Sequence, residues 1–345
     1  MLSRTALESG LGKALGQDVK VSTSEDLTDA MRATRSHGYD VFIGPAQVAA
    51  SALGHGYELV GATDPEEQFL LVGASSLQAV SDMRQGRVYL PQQDSIYTYL
   101  ARGMLTASGL SFKDLRTVEY GRYPQAGLTA VDLRLSDATV VRRTDWESWM
   151  RDHPGRAKVL AASGEVPGGF NVVVRKDLPA DARTKLAKWF GTSAPTCGMK
   201  SVALLPETAR YARVAELGTF TPTALPGATV VGAAEVAQLV AQGAVVVDTR
   251  NDKEYKARHI PGAVFAPYHE KSLKDVAYDA ALDDFPGLAA LDARKPTIFH
   301  CNGAECWKSY KASKAALARG FGKVYWFRGG MPAWEAAGLQ VQEGS

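Results

Sequence analysis

Hydrophobic and polar positions along the first ~200 residues repeat with two periods, one typical of helices and one typical of strands. Residues 5–15 carry apolar side chains at helical spacing and end at Gly16, and residues 24–35 form a second helix behind Ser24 and Asp26. Further helices are predicted at residues 95–108 and from residue 180, and strands at residues 19–22, 39–45, 68–73, 87–90, 117–120, 138–141 and 170–174. The alternation predicts an α/β architecture with mostly parallel sheets.

The alternation is interrupted at residues 219–228, which hold two prolines and a glycine and show no periodic pattern. We interpret this segment as a linker between one domain at residues 1–218 and another at residues 229–345. Beyond the linker the alternation resumes, with helices predicted at residues 233–242 and 308–319 and strands at residues 244–248, 297–300 and 324–327. A chain of 345 residues is long enough for two domains with separate cores.

The composition is that of an ordinary globular protein, and it narrows the range of partners. Hydrophobic residues make up 46% of the chain, charged residues 22%, and the net charge is +2. So small a charge argues against nucleic acid or an anionic membrane surface as the main partner. No apolar run approaches the ~20 residues of a membrane span. Residues 1–8 do not resemble a secretory signal, because Glu8 precedes any apolar stretch.

Four motifs follow one another in the second predicted domain. Asp248-Thr249-Arg250 ends a strand, residues 259–263 read His-Ile-Pro-Gly-Ala, residues 298–301 are a strand that runs into Cys301, and residues 320–334 hold Gly-Phe, Arg-Gly-Gly and a tryptophan. In this order they resemble a rhodanese-like domain over essentially all of residues 229–345. The resemblance implies an α/β domain with a central parallel sheet and Cys301 as the catalytic cysteine. It also implies that Asp248 and Arg250 support the site, although an ordinary ion pair at a strand end is an alternative.

The expected geometry explains what such a cysteine does. The strand ending at Cys301 leads through a loop into a helix that begins near Lys308 and Ser309. Backbone N–H groups and the helix N-terminus favour the thiolate and lower the cysteine pKa from about 8.5. The thiolate can attack a thiosulfate-like donor, carry the sulfur as a persulfide and pass it to an acceptor thiol. The prediction is a thiosulfate sulfurtransferase-like activity that needs no cofactor and no metal.

The loop itself departs from the typical rhodanese pattern. Seven residues separate Cys301 from Ser309, two more than in a typical rhodanese: Asn302, Gly303, Ala304, Glu305, Cys306, Trp307 and Lys308. The loop resembles a rhodanese-like subgroup with a Cys-Asn-Gly…Cys-Trp…Ser pattern, often found in exported bacterial proteins. Glu305 is an acid where an anion-binding loop would prefer arginine. A non-catalytic binding or sensing protein is therefore an alternative, and phosphatase-like chemistry is disfavoured because the loop lacks arginine.

Cys306 adds a second set of hypotheses. It lies five positions after Cys301 in the same loop, close enough for a disulfide. The pair would then form a redox switch, or Cys306 would resolve a persulfide on Cys301. The structural alternative is that Cys306 is a small buried residue beside the ring of Trp307.

The first predicted domain carries weaker motifs spread over its length, at residues 40–50, 86–91, 120–125, 136–138 and 166–169. Together they resemble periplasmic binding proteins of the phosphonate and phosphite transporter class. The resemblance implies a type II fold of two α/β lobes that close on a ligand, a periplasmic location and an ABC transporter membrane component as a possible partner. Members of the class begin with a strand before the first helix, whereas this sequence starts in that helix. We expect either that the signal peptide and first strand are missing from the sequence or that the lobe is degenerate.

The resemblance also gives a candidate ligand site in the cleft. The turn before the helix at residues 95–108 is the best cradle for an oxyanion, because helix N-termini and hydroxyl groups bind anions. The ligand would be a sulfur oxyanion or a phosphonate- or phosphite-like anion. The candidate residues are Gln47, Asp94, Ser95, Tyr97, Tyr123 and Gln125. The alternative for each is an ordinary role in a turn or cap.

Overall fold

The computed structural model describes residues 2–192 and 197–344, and it divides into two compact units at residues 1–218 and 219–345. Each unit has its own sheets and its own hydrophobic clusters. No helix in the described ranges has the length and apolar character needed to cross a bilayer.

The N-terminal unit contains eight helices and eight strands in its described residues. The helices are α1 (Arg4–Leu15), α2 (Leu27–Arg35), α3 (Ala46–Leu53), α4 (Ile96–Ala107), α5 (Gln125–Asp132), α6 (Arg143–Asp152), α7 (Ala180–Thr192) and α8 (Thr208–Glu216). The strands are β1 (Val41–Gly44), β2 (Tyr57–Glu67), β3 (Phe69–Ala74), β4 (Arg87–Pro91), β5 (Thr117–Gly121), β6 (Ala138–Arg142), β7 (Ala157–Ala162) and β8 (Val166–Arg175). They form a three-stranded sheet of order β1-β8-β2 and a five-stranded sheet of order β5-β4-β6-β3-β7.

The α/β class is confirmed, but the expectation of mostly parallel sheets is wrong for this unit. β8 pairs antiparallel with both β1 and β2, and β3 pairs antiparallel with both β6 and β7. Among the described residues of this unit, the parallel pairs are β4 with β5 and β4 with β6. Alternation of helices and strands specifies the element types, whereas strand direction depends on which distant segments pair. Residues 19–22, predicted as a strand, are irregular, and the Val21 N–H donates to the Glu8 carboxylate instead of to a neighbouring strand.

The C-terminal unit has a central parallel sheet, as predicted. Its helices are α9 (Ala233–Ala241), α10 (Asp252–Ala257), α11 (Trp307–Ala318) and α12 (Gly330–Ala336). Its strands are β9 (Ala228–Val230), β10 (Val245–Asp248), β11 (Val264–Phe265), β12 (Thr297–His300) and β13 (Val324–Phe327). All of them pair in parallel, in the order β11-β10-β12-β13-β9.

The central strand of this sheet, β12, positions the candidate site. All four of its residues are buried, and it lies between β10 and β13 with His300 level with Asp248 on one side and Phe327 on the other. Hydrophobic clusters cover both faces of the sheet, with Ile298 in one cluster and Phe299 in the other. The strand ends one residue before Cys301. Because β12 is hydrogen-bonded on both edges, the starting point of the following loop is rigidly placed.

Residues 219–228 have contacts of their own within this unit. Thr221 and Leu225 are both buried. Leu225 packs in an aromatic cluster with Trp307, Tyr310 and Trp326, and Ala228 already pairs with Val324 as the first residue of β9.

Candidate active site at Cys301

Cys301 lies at the carboxyl end of β12 and is 1% exposed. Its carbonyl oxygen accepts a hydrogen bond of 2.9 Å from the Met331 N–H. The chain at Gly330 passes so close that a Cβ at that position would lie 2.0 Å from the same oxygen, and its φ of +53° is in the left-handed region. Only glycine fits there, because any other residue would meet both the clash and the backbone strain. The first residues of α12, Gly330 and Met331, therefore hold the backbone of the cysteine in place.

The structure joins Cys301 to Cys306 by a disulfide. Their Cα atoms are 6.1 Å apart, and the loop between them turns at Gly303, where φ is +87° and the carbonyl accepts from the Cys306 N–H at 3.0 Å. Cys306 is the N-cap residue of α11 and is 6% exposed. The second sulfur of the loop therefore lies at a helix N-terminus, where partial positive charge favours a thiolate.

The start of α11 is anchored in the aromatic cluster. The Trp307 ring packs edge-on against Tyr310 with centroids 5.3 Å apart, and Tyr310 packs in the same way against Trp326. The Trp326 Nε1–H donates to the Ser309 hydroxyl at 3.1 Å. Ser309, a candidate site residue at the predicted start of the helix, is thus a buried partner of the core. The partly exposed members of the predicted loop are Gly303, Ala304, Glu305 and Lys308, so this edge of the loop is the one open to solvent.

The outer part of the loop is tied to the segment that leads into the unit. The Thr221 N–H and hydroxyl both donate to the Ala304 carbonyl, at 2.8 and 2.7 Å. The Arg328 side chain donates in turn to the Thr221 carbonyl and hydroxyl oxygens, at 2.8 and 3.1 Å. The Trp307 indole N–H donates to the Thr219 carbonyl at 3.2 Å. Thr221 was not among the candidates, because a segment rich in proline and threonine gives no signal for a contact with a loop eighty residues away.

A buried polar network lies beneath the loop. Asp248 and Arg250 form a two-pronged ion pair, with Nε–Oδ1 at 3.0 Å and Nη2–Oδ2 at 2.7 Å, and both are almost fully buried. Arg250 also donates to Asn302 Oδ1 at 3.4 Å, and Asn302 Nδ2 donates to Glu254 at 2.7 Å. Asp248 and Arg250 thus reach the loop through Asn302. Glu254 was not predicted as a site residue, although it lies in the sequence between the Asp248-Thr249-Arg250 motif and the motif at residues 259–263.

The buried His300 ring completes this network. Burial lowers the pKa of His300 to about 4, against the opposing influence of Asp248, whose carboxylate lies 3.6 Å from Nε2. Among the described residues neither ring nitrogen has a hydrogen-bond partner. Burial opposes ionisation of Asp248, but the neighbouring His300 and the charge and hydrogen bonds of Arg250 together hold its pKa below the usual range. The network at neutral pH is therefore an ionised Asp248–Arg250 pair beside a neutral histidine.

The candidate cleft residues of the N-terminal unit fall into two groups. Gln47 on α3 donates to the Asp94 carbonyl at 3.0 Å, and Thr28 on α2 donates to the Asp94 carboxylate at 2.9 Å. Ser95 caps α4, accepting from the Thr98 N–H. The structure thus brings Gln47, Asp94 and Ser95 together and buries all three. The carboxylate of Asp94 is an unexpected group for an oxyanion cradle.

The remaining cleft candidates are placed differently. Tyr97 faces the core, packed edge-on against Phe69 at 5.1 Å, and burial raises its pKa to about 12. Tyr123 is 61% exposed and Gln125 is exposed at the start of α5. The Tyr123 carbonyl accepts from the Tyr89 hydroxyl at 2.9 Å, so the segment before α5 is fixed to β4 by its backbone.

Each of the two units matches a known protein family. Residues 3–224 match the family of phosphonate ABC-transporter periplasmic substrate-binding proteins, and residues 232–337 match the rhodanese-like domain. The thiosulfate sulfurtransferase GlpE of Pseudomonas entomophila is 35% identical over 98 residues, which cover 28% of this chain and 76% of that protein. The HTH-type transcriptional regulator Rv0324 of Mycobacterium tuberculosis is 34% identical over 101 residues, 29% of this chain but only 38% of the regulator.

A solved structure shows the same fold for the N-terminal part. The structure of XAC2383 from Xanthomonas citri bound to ATP has a TM-score of 0.51 at 14% identity, covering 62% of this chain and 90% of that one. PhnD1 from Prochlorococcus marinus in complex with methylphosphonate covers the same shares, with a TM-score of 0.49 and 15% identity. The chain belongs to the family of periplasmic substrate-binding proteins of phosphonate ABC transporters. Its C-terminal unit is a rhodanese-like domain.

The close approach at Gly330 makes a direct prediction. Gly330→Ala should destabilise the C-terminal unit by several kcal/mol, because the added Cβ meets the Cys301 carbonyl and the backbone angle is strained. Urea unfolding measures the loss. Gly322→Ala, at a glycine with open space around it, is the control and should change stability little. Equal effects of the two substitutions would contradict the assignment of Gly330 as the residue that fixes the cysteine backbone.

The neutral His300 predicts an acid sensitivity. A histidine whose pKa is lowered on folding stabilises the native state above its unfolded pKa, and that contribution falls as the pH drops from about 6.5 to about 4. The loss should reach roughly 3 kcal/mol. Replacing His300 with Phe should flatten the pH dependence of the free energy of unfolding in this window, whereas His153→Gln in the other unit should leave it unchanged. An unchanged slope in His300→Phe would show that the ring does not resist protonation.

Proposed function

We propose that this protein is a sulfurtransferase that carries sulfane sulfur as a persulfide on Cys301, joined to a module that binds a small anion. The observation that carries the proposal is the placement of Cys301 at the carboxyl end of the central strand of a parallel sheet, before a helix, in a rhodanese-like domain. The 35% identity to the thiosulfate sulfurtransferase GlpE supports it.

The chemistry requires the reduced loop. The Cys301 thiolate attacks the outer sulfur of thiosulfate, the sulfur–sulfur bond of the donor breaks, and sulfite leaves with the electron pair. The outer sulfur then sits on Cys301 as a persulfide and is available to a nucleophilic acceptor. In the disulfide form the Cys301 sulfur is bonded to Cys306 and has no thiolate to offer. The disulfide is therefore the oxidised, inactive form of the enzyme.

The buried network supports this role from below the loop. Arg250 and Glu254 hold the two ends of the Asn302 amide, so the residue after the cysteine keeps its orientation when the disulfide opens. The Met331 N–H holds the Cys301 carbonyl independently of the sulfur. The reduced cysteine thus stays at the strand end, and no substrate binding energy is needed to place it.

For the N-terminal module we propose a small oxyanion as ligand, a periplasmic location and an ABC transporter membrane component as partner. The family match over residues 3–224 supports all three. The capped N-terminus of α4, beside Gln47, is the binding position.

A second candidate function follows from the disulfide itself. Cys301 and Cys306 would act only as a thiol switch, opening and closing the loop with the redox state of the compartment. In that case Cys301 would accept no sulfur from any donor.

The sulfurtransferase assay separates the two functions. Reduced wild-type protein given thiosulfate and cyanide should form thiocyanate, and Cys301→Ser should form none. Cys306→Ser should retain the activity and keep it after oxidant treatment, because the locking disulfide cannot form. Wild-type protein oxidised beforehand should be inactive until reduced. Absence of thiocyanate from reduced wild type and from Cys306→Ser would refute sulfur transfer and leave the thiol switch.

The ligand proposal is tested by calorimetry with methylphosphonate, phosphite, phosphate and thiosulfate as probes. Replacing Gln47 with Ala removes the side chain that lies beside the N-terminus of α4 and donates to the Asp94 carbonyl, and it should weaken anion binding at least about tenfold. Glu147→Gln, which neutralises an exposed carboxylate on α6, should have no effect. If none of the four anions binds wild type, the oxyanion assignment is wrong, and equal affinities of wild type and Gln47→Ala would exclude the α4 N-terminus as the binding position.

A further inference from the structure

The disulfide also indicates how a persulfide on Cys301 reacts further, an inference that rests on the proposed function. We infer that Cys306 is a resolving residue: its thiolate attacks the Cys301 persulfide and releases the carried sulfur as hydrosulfide. The protein would then reduce sulfane sulfur to sulfide, with a dithiol reductant restoring the loop, in addition to transferring it to an acceptor.

The Cys306 sulfur lies within bonding distance of the Cys301 sulfur. Cys306 Sγ is bonded to Cys301 Sγ, and the Cα separation of 6.1 Å lies within the range of ordinary disulfides. The atom that Cys306 contacts is therefore the inner sulfur of the persulfide, the one that belongs to the cysteine. The hydrogen bond from the Cys306 N–H to the Gly303 carbonyl closes the turn that places the two sulfurs together.

The sulfur that leaves is the outer sulfur of the persulfide. Attack on the inner sulfur breaks the bond to the outer sulfur, and the outer sulfur departs as hydrosulfide with the bonding electron pair. The products are the Cys301–Cys306 disulfide and one hydrosulfide, so the two cysteines supply both electrons. An external dithiol then reduces the disulfide by two exchange steps and is itself oxidised to a disulfide. All atoms and electrons balance with a thiosulfate-like donor and a dithiol as the only reactants.

Cys306 competes with external thiols for the persulfide on Cys301. Cys301 is 1% exposed and Cys306 6% exposed, so a bulky acceptor thiol reaches the inner sulfur poorly. Cys306 is already in the loop and acts intramolecularly, at a high effective concentration. Its position as the N-cap of α11 favours the attacking thiolate. Resolution within the loop therefore precedes transfer to a large acceptor, whereas a small nucleophile such as cyanide still takes the outer sulfur.

The fold of the loop does not depend on the disulfide. Asn302 is held by Arg250 and Glu254, Ala304 by Thr221, and Trp307 by its aromatic neighbours. These contacts involve neither sulfur. A loop with so many other anchors can open and close the bond in each turnover without losing its shape.

A single-turnover experiment on the full chain tests the inference. Reduced protein, freed of reductant without oxygen, receives one equivalent of thiosulfate, and sulfite, sulfide and intact mass are measured. Wild type should release one equivalent each of sulfite and sulfide and lose two hydrogens as the disulfide forms. Cys306→Ser should release sulfite, gain one sulfur atom and release no sulfide. Cys301→Ser should release neither sulfite nor sulfide and should keep its mass. Cys197→Ala, at a cysteine buried in the other unit, should behave as wild type.

The outcomes separate the inference from the function beneath it. No sulfite from any variant overturns persulfide formation and, with it, the role of Cys306. Sulfite with a stable persulfide on wild type, or equal sulfide from wild type and Cys306→Ser, overturns the resolving role alone. In steady state with dithiothreitol, Cys306→Ser should form sulfide at least about tenfold more slowly while thiocyanate formation is retained. A purely structural disulfide would lower both rates together.

Discussion

The ion pair between Asp248 and Arg250 connects three parts of the C-terminal unit. It lies at the end of β10, holds the carbonyl of Arg258 ahead of the His259 turn, and contacts the cysteine loop through Asn302. Burying two charges is costly, and this pair offsets the cost with a two-pronged geometry and with additional hydrogen bonds. Removing one partner would leave the other charge buried, a loss of typically 3–5 kcal/mol. Burial keeps His300 neutral beside this pair, although the Asp248 carboxylate opposes the lowering of its pKa.

This arrangement separates the placement of the cysteine from its reactivity. The backbone of Cys301 is fixed by Met331 and by the glycine at position 330, and the next residue is fixed by the ion-pair network. The sulfur itself is bonded only to Cys306. The lengthened loop gives room for a second cysteine without disturbing the strand end, so that one scaffold supports both a persulfide and a disulfide. A shorter loop would bring the helix to the strand without this second thiol.

Much of the C-terminal unit is predictable from its sequence, because local patterns and family motifs coincide there. The bounds of β12 and β13 follow from short apolar runs, and the pairing of Asp248 with Arg250 follows from their spacing at a strand end. Thr221 and Arg328 could not be predicted, since their contacts depend on where residues 219–228 lie in space. In the N-terminal unit the elements were mostly predictable but the strand directions were not. β2 was missed because the polar residues at 64–67 break its apolar pattern, and the buried carboxylate of Asp94 gives no signal in the sequence.

The contacts of Thr219 and Thr221 bear on how such a protein can be assembled from parts. Both residues precede the region that matches the rhodanese-like domain, yet both bond to the loop that carries the two cysteines. A gene fusion or recombination event with its joint inside residues 219–228 would deliver the whole matched domain but remove these supports. The compact C-terminal unit, which begins at Thr219, is therefore larger than the matched rhodanese-like domain, and its first residues also fall within the match to the substrate-binding family. Relatives that carry the same loop in other domain combinations should keep an equivalent short segment ahead of their first strand.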